Sequence, residues 1–271
     1  MKKWLLVLIS LILVMCLTAC GKDENSKKSS EPKKESAEQT AEPSQPPEPA
    51  ATGDAITFGS YEQDNNPDNG PEPIEWIVLD VRDGKALLLS KYGLDAKPYN
   101  REFDYVTWET CTLRTWLNKD FLKAAFSKTE QQAILLTDVD NSDSQGFDWS
   151  TIRNGNYATG GNNTQDKIFL LSYAEANRYL GVQYRKIGDD DPYLKSRAAS
   201  TAYAKARGAN HSDSRETADG EPAVWWWLRS PAATAYCAAN VLDDGCLYSF
   251  DVRIEDGVVR PALWIDLNSG T

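Results

Sequence analysis

Hydrophobic positions are spread very unevenly along this chain. From Trp4 to Leu17 every residue except Ser10 is apolar. That run is shorter than the roughly 20 residues a spanning helix needs. With Lys2 and Lys3 ahead of it, it matches the apolar region of a secretion signal, Met1 to Ala19. From Gly21 to Ala55 the pattern disappears, with no aromatic residue and no Leu, Ile, Val or Met. From Ile56 apolar positions return and continue to Leu267.

Their spacing in that last stretch predicts elements. Ala55–Tyr61, Ile74–Val81 and Ala86–Lys91 read as strands, the last two joined by a hairpin turn at Arg82-Asp83-Gly84. Leu113, Trp116, Leu117, Phe121 and Leu122 share one side of a helix over 113–126. Ser127 with Glu130, and Ser172 with Glu175, form capping boxes that open two further helices, the second running to about Leu180. Strands are expected at 134–139 and 167–171, a long polar loop at 141–165, and an Ala-rich helix at 196–208. Four strands close the chain, at 225–228, 236–242, 246–253 and 258–267. Strands at both ends with helices between them predict an α+β domain over residues 56–271 whose last strands form a small twisted antiparallel sheet.

One hairpin can be set in register. With Asp244-Gly245 as a two-residue turn, Val241, Ala239 and Cys237 face Tyr248, Phe250 and Val252 on one side. The other side then carries Tyr236, Asn240, Ser249, Asp251 and Arg253, a candidate ligand-binding face that Trp149 of the 141–165 loop would border. In that register Cys237 and Cys246 share a face but lie about 20 Å apart at about 3.3 Å per residue, too far for a disulfide. Two buried free thiols are expected.

Composition narrows the chemistry. The signal segment holds two of the 29 Lys+Arg and none of the 40 Asp+Glu, so 27 cations face 40 anions in the remainder, a net charge of −13. A nucleic-acid partner needs a basic face and is not expected. With Cys16 in the signal and Cys20 at its end, Cys111, Cys237 and Cys246 remain, an odd number and no disulfide framework. A single histidine, His211, excludes metal sites built on two or three histidines. Asp138 to Asp143 begins like a calcium loop, but Asp143 and Trp149 stand where an EF-hand needs Gly and Glu. Asp189-Asp190-Asp191 reads as a solvated turn. No cofactor or metal is expected.

Two resemblances add to this. Leu17-Thr18-Ala19-Cys20 resembles a lipobox, which implies cleavage before Cys20 and a lipid on its sulfur. The partner is then a membrane, the location the extracytoplasmic face of the cell membrane, and residues 20–55 a Pro/Lys/Glu/Ser-rich tether with a coil dimension of about 30–35 Å. Trp226-Trp227-Leu228-Arg229-Ser230-Pro231 and Val259-Arg260-Pro261-Ala262-Leu263, with Pro73–Trp76, Leu113–Asn118 and Asp166–Ser172 upstream, resemble a bacterial family of domains of unknown function. That family in turn is similar to the formylglycine-generating-enzyme branch of C-type-lectin-like folds. The resemblance implies a compact lectin-like domain and no particular activity. The cysteine pair of sulfatase-activating enzymes has no counterpart in Cys237 and Cys246.

Arg229 and Arg260 each stand inside an apolar run. They can grip an anion, or stack on tryptophan and donate to backbone carbonyls; we assign them, with Trp226 and Trp227, to structure. Three tryptophans in a row alternate faces, so at least one face of that strand is core. The functional expectation is a lipid-anchored binding domain for an extracellular glycan or peptide. The alternatives are an enzyme of the formylglycine-generating-like class and an envelope interaction protein without a small ligand.

Overall fold

A computed structural model describes residues 50–151, 158–184 and 193–268. The expected signal segment, Cys20, the expected tether through residue 49, Tyr157 and Asp189-Asp190-Asp191 lie outside them. The chain runs β1 (Ala55–Tyr61), β2 (Glu72–Arg82), β3 (Lys85–Ser90) and β4 (Asp95–Ala96), then α1 (Thr112–Trp116), a π turn (Leu117–Phe121), α2 (Leu122–Ala125) and α3 (Lys128–Ala133). It continues through β5 (Thr137–Val139), β6 (Thr164–Asp166), α4 (Tyr173–Leu180), α5 (Ala202–Ala206), β7 (His211–Glu216) and β8 (Pro222–Val224). It closes with β9 (Trp226–Pro231), β10 (Cys237–Val241), β11 (Leu247–Asp251), β12 (Val258–Val259) and β13 (Ala262–Asp266). The fold is mixed α and β, mostly strand with few and short helices.

Two sheets carry the core. One is ordered β1-β2-β3-β13, the other β11-β10-β9-β12-β4. The chain passes from one to the other at Arg260-Pro261, between β12 and β13. A proline has no N–H to give to a ladder, so the break falls there. The Pro261 carbonyl instead accepts from Ser90 N at 2.9 Å. Arg260 fills the crossing: its Nε donates to Ser90 O at 2.8 Å and its guanidinium lies 5.0 Å from the Trp226 ring. Burial alone pulls the Arg260 pKa down to about 9, so it stays charged at neutral pH.

The buried tryptophans act as anchors as well as filler. Trp76, Trp108, Trp226 and Trp227 are fully buried, and each indole N–H finds an acceptor. The acceptors are Phe58 O (2.7 Å), Asp166 Oδ2 (2.9 Å), Ser196 O (3.2 Å) and Lys97 O (3.0 Å). Each ring thus contributes about 1.5–3 kcal/mol of burial while tying a loop or neighbouring strand to the sheets.

Local signals hold where they were strongest. Asp83 and Gly84 adopt φ of +51° and +69° between the paired ends Arg82 and Lys85, as a two-residue hairpin requires. Both capping boxes are formed, at Ser127/Glu130 and Ser172/Glu175, and Gly181 ends α4 at φ +74°.

Several expectations are corrected. The helix expected over 196–208 shrinks to Ala202–Ala206, capped by Thr201, because Ala198 and Ser200 bridge to Val224 and Gly93 as extended chain. The strand expected at 167–171 begins and ends earlier, at Thr164–Asp166, and Phe169 makes only an isolated bridge to Ala262. The β7–β8 hairpin was not expected.

The β10–β11 register differs by one residue. Val241 pairs with Leu247, Asn240 with Tyr248, Ala239 with Ser249 and Cys237 with Asp251. The turn has three residues, Asp243-Asp244-Gly245: Leu242 N donates to Cys246 O at 2.8 Å, and Gly245 takes φ +89°. β10 is buried on both faces, so its apolar pattern could not choose between the registers. Cys237 and Cys246 now lie five ladder positions apart, about 17 Å. Neither is in a disulfide, nor is Cys111, although Cys237 is only half-buried.

Candidate ligand-binding surface

The new register divides the expected ligand-binding face. Ser249 and Asp251 lie across from Ala239 and Cys237, on the opposite side of the sheet from Asn240. Asn240 is wholly buried, on the face that carries Trp227 and Tyr248 as its cross-strand partners, and is withdrawn from the surface. Trp149 is also withdrawn. It is 4 % exposed, donates from Nε1 to Pro231 O at 3.3 Å, and packs on Phe147 with centroids 5.1 Å apart. Ser249 stays half-buried beside Asp251.

Tyr236, Asp251 and Arg253 do come together, and the element that completes their surface is the connection between β4 and α1. This loop is laid along the base of the β10–β11 hairpin by backbone bonds, Asn100 N to Val252 O at 2.8 Å and Val106 N to Ala235 O at 3.3 Å. The Asn100 side chain fixes its return by accepting from Thr112 N at 3.0 Å. The loop therefore delivers Phe103 and Tyr105 to Tyr236, with ring centroids 4.4 Å and 4.5 Å away. Arg253 lies 4.1 Å from the Phe103 centroid. Arg253, Phe103, Tyr236 and Tyr105 thus form a run in which each side chain touches the next.

This run is open to solvent: Phe103 is 52 % exposed and Tyr105 70 %. Asp251 orients Arg253 by accepting from its Nε at 3.1 Å and its Nη2 at 2.9 Å. Those hydrogen bonds lower the Asp251 pKa and raise that of Arg253. A hydrogen bond between the Tyr105 and Tyr236 hydroxyls raises the Tyr236 pKa.

On its other side Arg253 borders a cleft of about 550 Å³. Pro98, Leu113 and the half-buried Trp116 give it an apolar wall. Lys97, Arg101, Arg207 and Arg253 line it with cations, and Glu255 is the one acid in the lining. Buried Asp95 holds two of these, Lys97 Nζ at 3.3 Å and Arg207 Nε at 3.7 Å. Lys97 also sits 4.5 Å over the Trp116 ring.

Little in the local pattern of residues announces this cleft. Phe103 and Tyr105 between Arg101, Glu102 and Asp104 were the available signal: large rings in a polar segment that patterns as neither helix nor strand.

The remaining candidates serve the fold. Arg229 donates to Leu170 O (2.8 Å), Asp140 O (3.1 Å), Asn141 Oδ1 (3.3 Å) and both Glu175 oxygens, and lies 5.7 Å from the Phe169 ring. Glu62, Asp64 and Glu72 bring their oxygens within 4.8 Å of one another. These carboxylates already accept from backbone N–H groups of Gln63 and Asn66, which closes the β1–β2 loop.

The architecture is therefore that of a mixed α/β domain presenting side chains from a loop and a hairpin on a solvent-open face. The chain belongs to the family described as Domain of unknown function (DUF6273), whose model matches residues 83–267. Every residue of the cleft and the ring run falls inside that match. No curated protein and no solved structure matches the chain.

Proposed function

We propose that the protein is a lipoprotein, anchored through Cys20 on the extracytoplasmic face of the cell membrane, whose folded domain binds a saccharide or a peptide. The observation that carries the binding reading is the exposed run Arg253–Phe103–Tyr236–Tyr105 at the rim of the cleft. Large rings left in water cost hydration free energy, and where they gather beside a concavity they mark a ligand surface. We read the Trp226–Pro231 and Val259–Leu263 segments as C-type-lectin-like, and a domain of that kind would bind through its loops. The formylglycine-generating reading gains nothing, since Cys237 and Cys246 lie about 17 Å apart along the ladder, too far to act as a pair.

Glycan and peptide arrays probed with the full chain test the binding reading. Tyr105→Ala should weaken whatever binds by about tenfold, a typical loss for one stacked aromatic contact, and leave the melting temperature unchanged. Binding that is indifferent to both Tyr105→Ala and Phe103→Ala would remove this surface from consideration. The anchor is tested separately: Cys20→Ser should move the protein from the membrane pellet to the soluble fraction.

A further inference from the structure

We infer that the ligand of this surface is an acidic saccharide, its ring covering the exposed aromatic run and its anionic group held in the cleft by Arg101 and its neighbours. This rests on the binding role proposed above and adds the charge and class of the ligand.

The charge balance of the cleft points that way. Beyond the signal segment the chain carries 27 cations against 40 anions. A cleft lined by four cations and one acid is the reverse of that background. Asp95 serves both Lys97 and Arg207, and Asp251 serves Arg253. Counting Asp95, Asp251 and Glu255 against the four cations leaves one positive charge over. Of the four cations, Arg101 is the one with no carboxylate partner among the described residues, and it is exposed. An unpaired guanidinium at a concave wall offers the planar fork that a carboxylate or sulfate accepts in two parallel hydrogen bonds. Low-dielectric walls strengthen that attraction, and here Trp116 and Leu113 supply them.

The rings favour a saccharide over an acidic peptide. Arg253 joins the two parts, touching Phe103 with its plane and lining the cleft with its charge. Tyr105, at the far end of the run, is the most exposed large ring of the described residues. A sugar covers such a ring with its C–H face while a substituent carboxylate reaches back toward Arg101.

The test uses the full chain in detergent and calorimetry with oligogalacturonate, hyaluronate and sulfated oligosaccharides. Methyl-esterified oligogalacturonate, which keeps the ring and loses the charge, and tetraglutamate complete the set. At least one acidic saccharide should bind. Its affinity should fall about tenfold, the cost of one charge-assisted pair, in Arg101→Ala. The fall should be larger in Arg101→Glu and absent in Lys128→Ala, and binding should weaken with added salt. Esterification should produce a comparable loss. Equal binding of acid and ester would overturn the inference and leave the binding role standing, and so would binding of tetraglutamate without any saccharide. If arrays and calorimetry show no glycan and no peptide bound, both fail together. Because Arg101 is exposed, its variants should melt with the native protein, which separates lost binding from lost fold.

Discussion

Arg229 shows how a charged residue comes to be part of the core. Its donors reach the start of the 141–165 loop through Asp140 and Asn141, the segment before α4 through Leu170, and the first turn of α4 through Glu175. Glu175 also closes the capping box by accepting from Ser172 N at 2.8 Å, so one carboxylate serves both a helix start and a buried cation. Arg229→Met leaves that partly buried carboxylate and several carbonyls unpaired. We expect a loss of about 3–5 kcal/mol in chemical denaturation, the usual penalty for breaking a buried pair. Glu175→Gln should cost less, since two hydrogen-bonding oxygen and nitrogen atoms remain. The thiols differ by burial in the same way. Burial pushes the Cys111 pKa up to about 12, so almost no thiolate is present at neutral pH. Alkylation of the native protein at pH 8 should modify the half-buried Cys237 first and spare Cys111 until the protein unfolds. Early loss of the Cys111 thiol would contradict its placement.

Among the elements, the β10–β11 turn decides the most. A two-residue turn fits the alternation of 236–242 against 246–253 as well as the three-residue turn does, because β10 has no solvent face. Gly245 settles it. At φ +89° it adopts a conformation other residues resist, and an added Cβ would meet Tyr193 O at 2.3 Å. Gly245→Ala should therefore destabilise by about 1–3 kcal/mol or more, through strain and the clash with backbone. A neutral outcome in thermal melts would argue against this turn. The helical segment from 112 to 125 carries a feature that its hydrophobic spacing does not encode, the π turn at Leu117–Phe121. Within that turn Asn118 accepts from Lys167 N (2.9 Å) and Ile168 N (3.1 Å) and donates to Ile168 O (2.8 Å), doing for that segment what a neighbouring strand would do. Capping boxes and the Asp83-Gly84 turn were legible because they are closed by residues three or fewer apart. The shortened helix near Ala202 was not, because its first half was claimed by Gly93 and Val224 from elsewhere in the chain.

At the scale of the molecule, the acid side of the stability profile follows from the carboxylates. Hydrogen bonds from Ser142 lower the pKa of Asp140, and those from Arg253 lower that of Asp251. A carboxyl that releases its proton more readily folded than unfolded favours the folded state above its unfolded pKa of about 3.9. That contribution is lost as pH falls through the lower folded value. Melting temperature should stay level from pH 8 to 5 and decline below about 4. The share due to these exposed groups should shrink in high salt. The sequence by itself determined the apolar N-terminal run, the segment without core-forming residues, the mixed α/β class, the tryptophan-rich core and the buried roles of Arg229 and Arg260, because these follow from composition, short-range caps and turns, and alternation along single strands. Tertiary structure alone decided which residues share the candidate surface. It took Asn240 and Trp149 into the interior, and it brought Phe103, Tyr105 and Arg101 from the loop before α1 to Tyr236, Asp251 and Arg253. Those groups are some 130–150 positions apart in the chain. Their meeting depends on backbone bonds such as Asn100 to Val252, which no local pattern of hydrophobic and polar residues records.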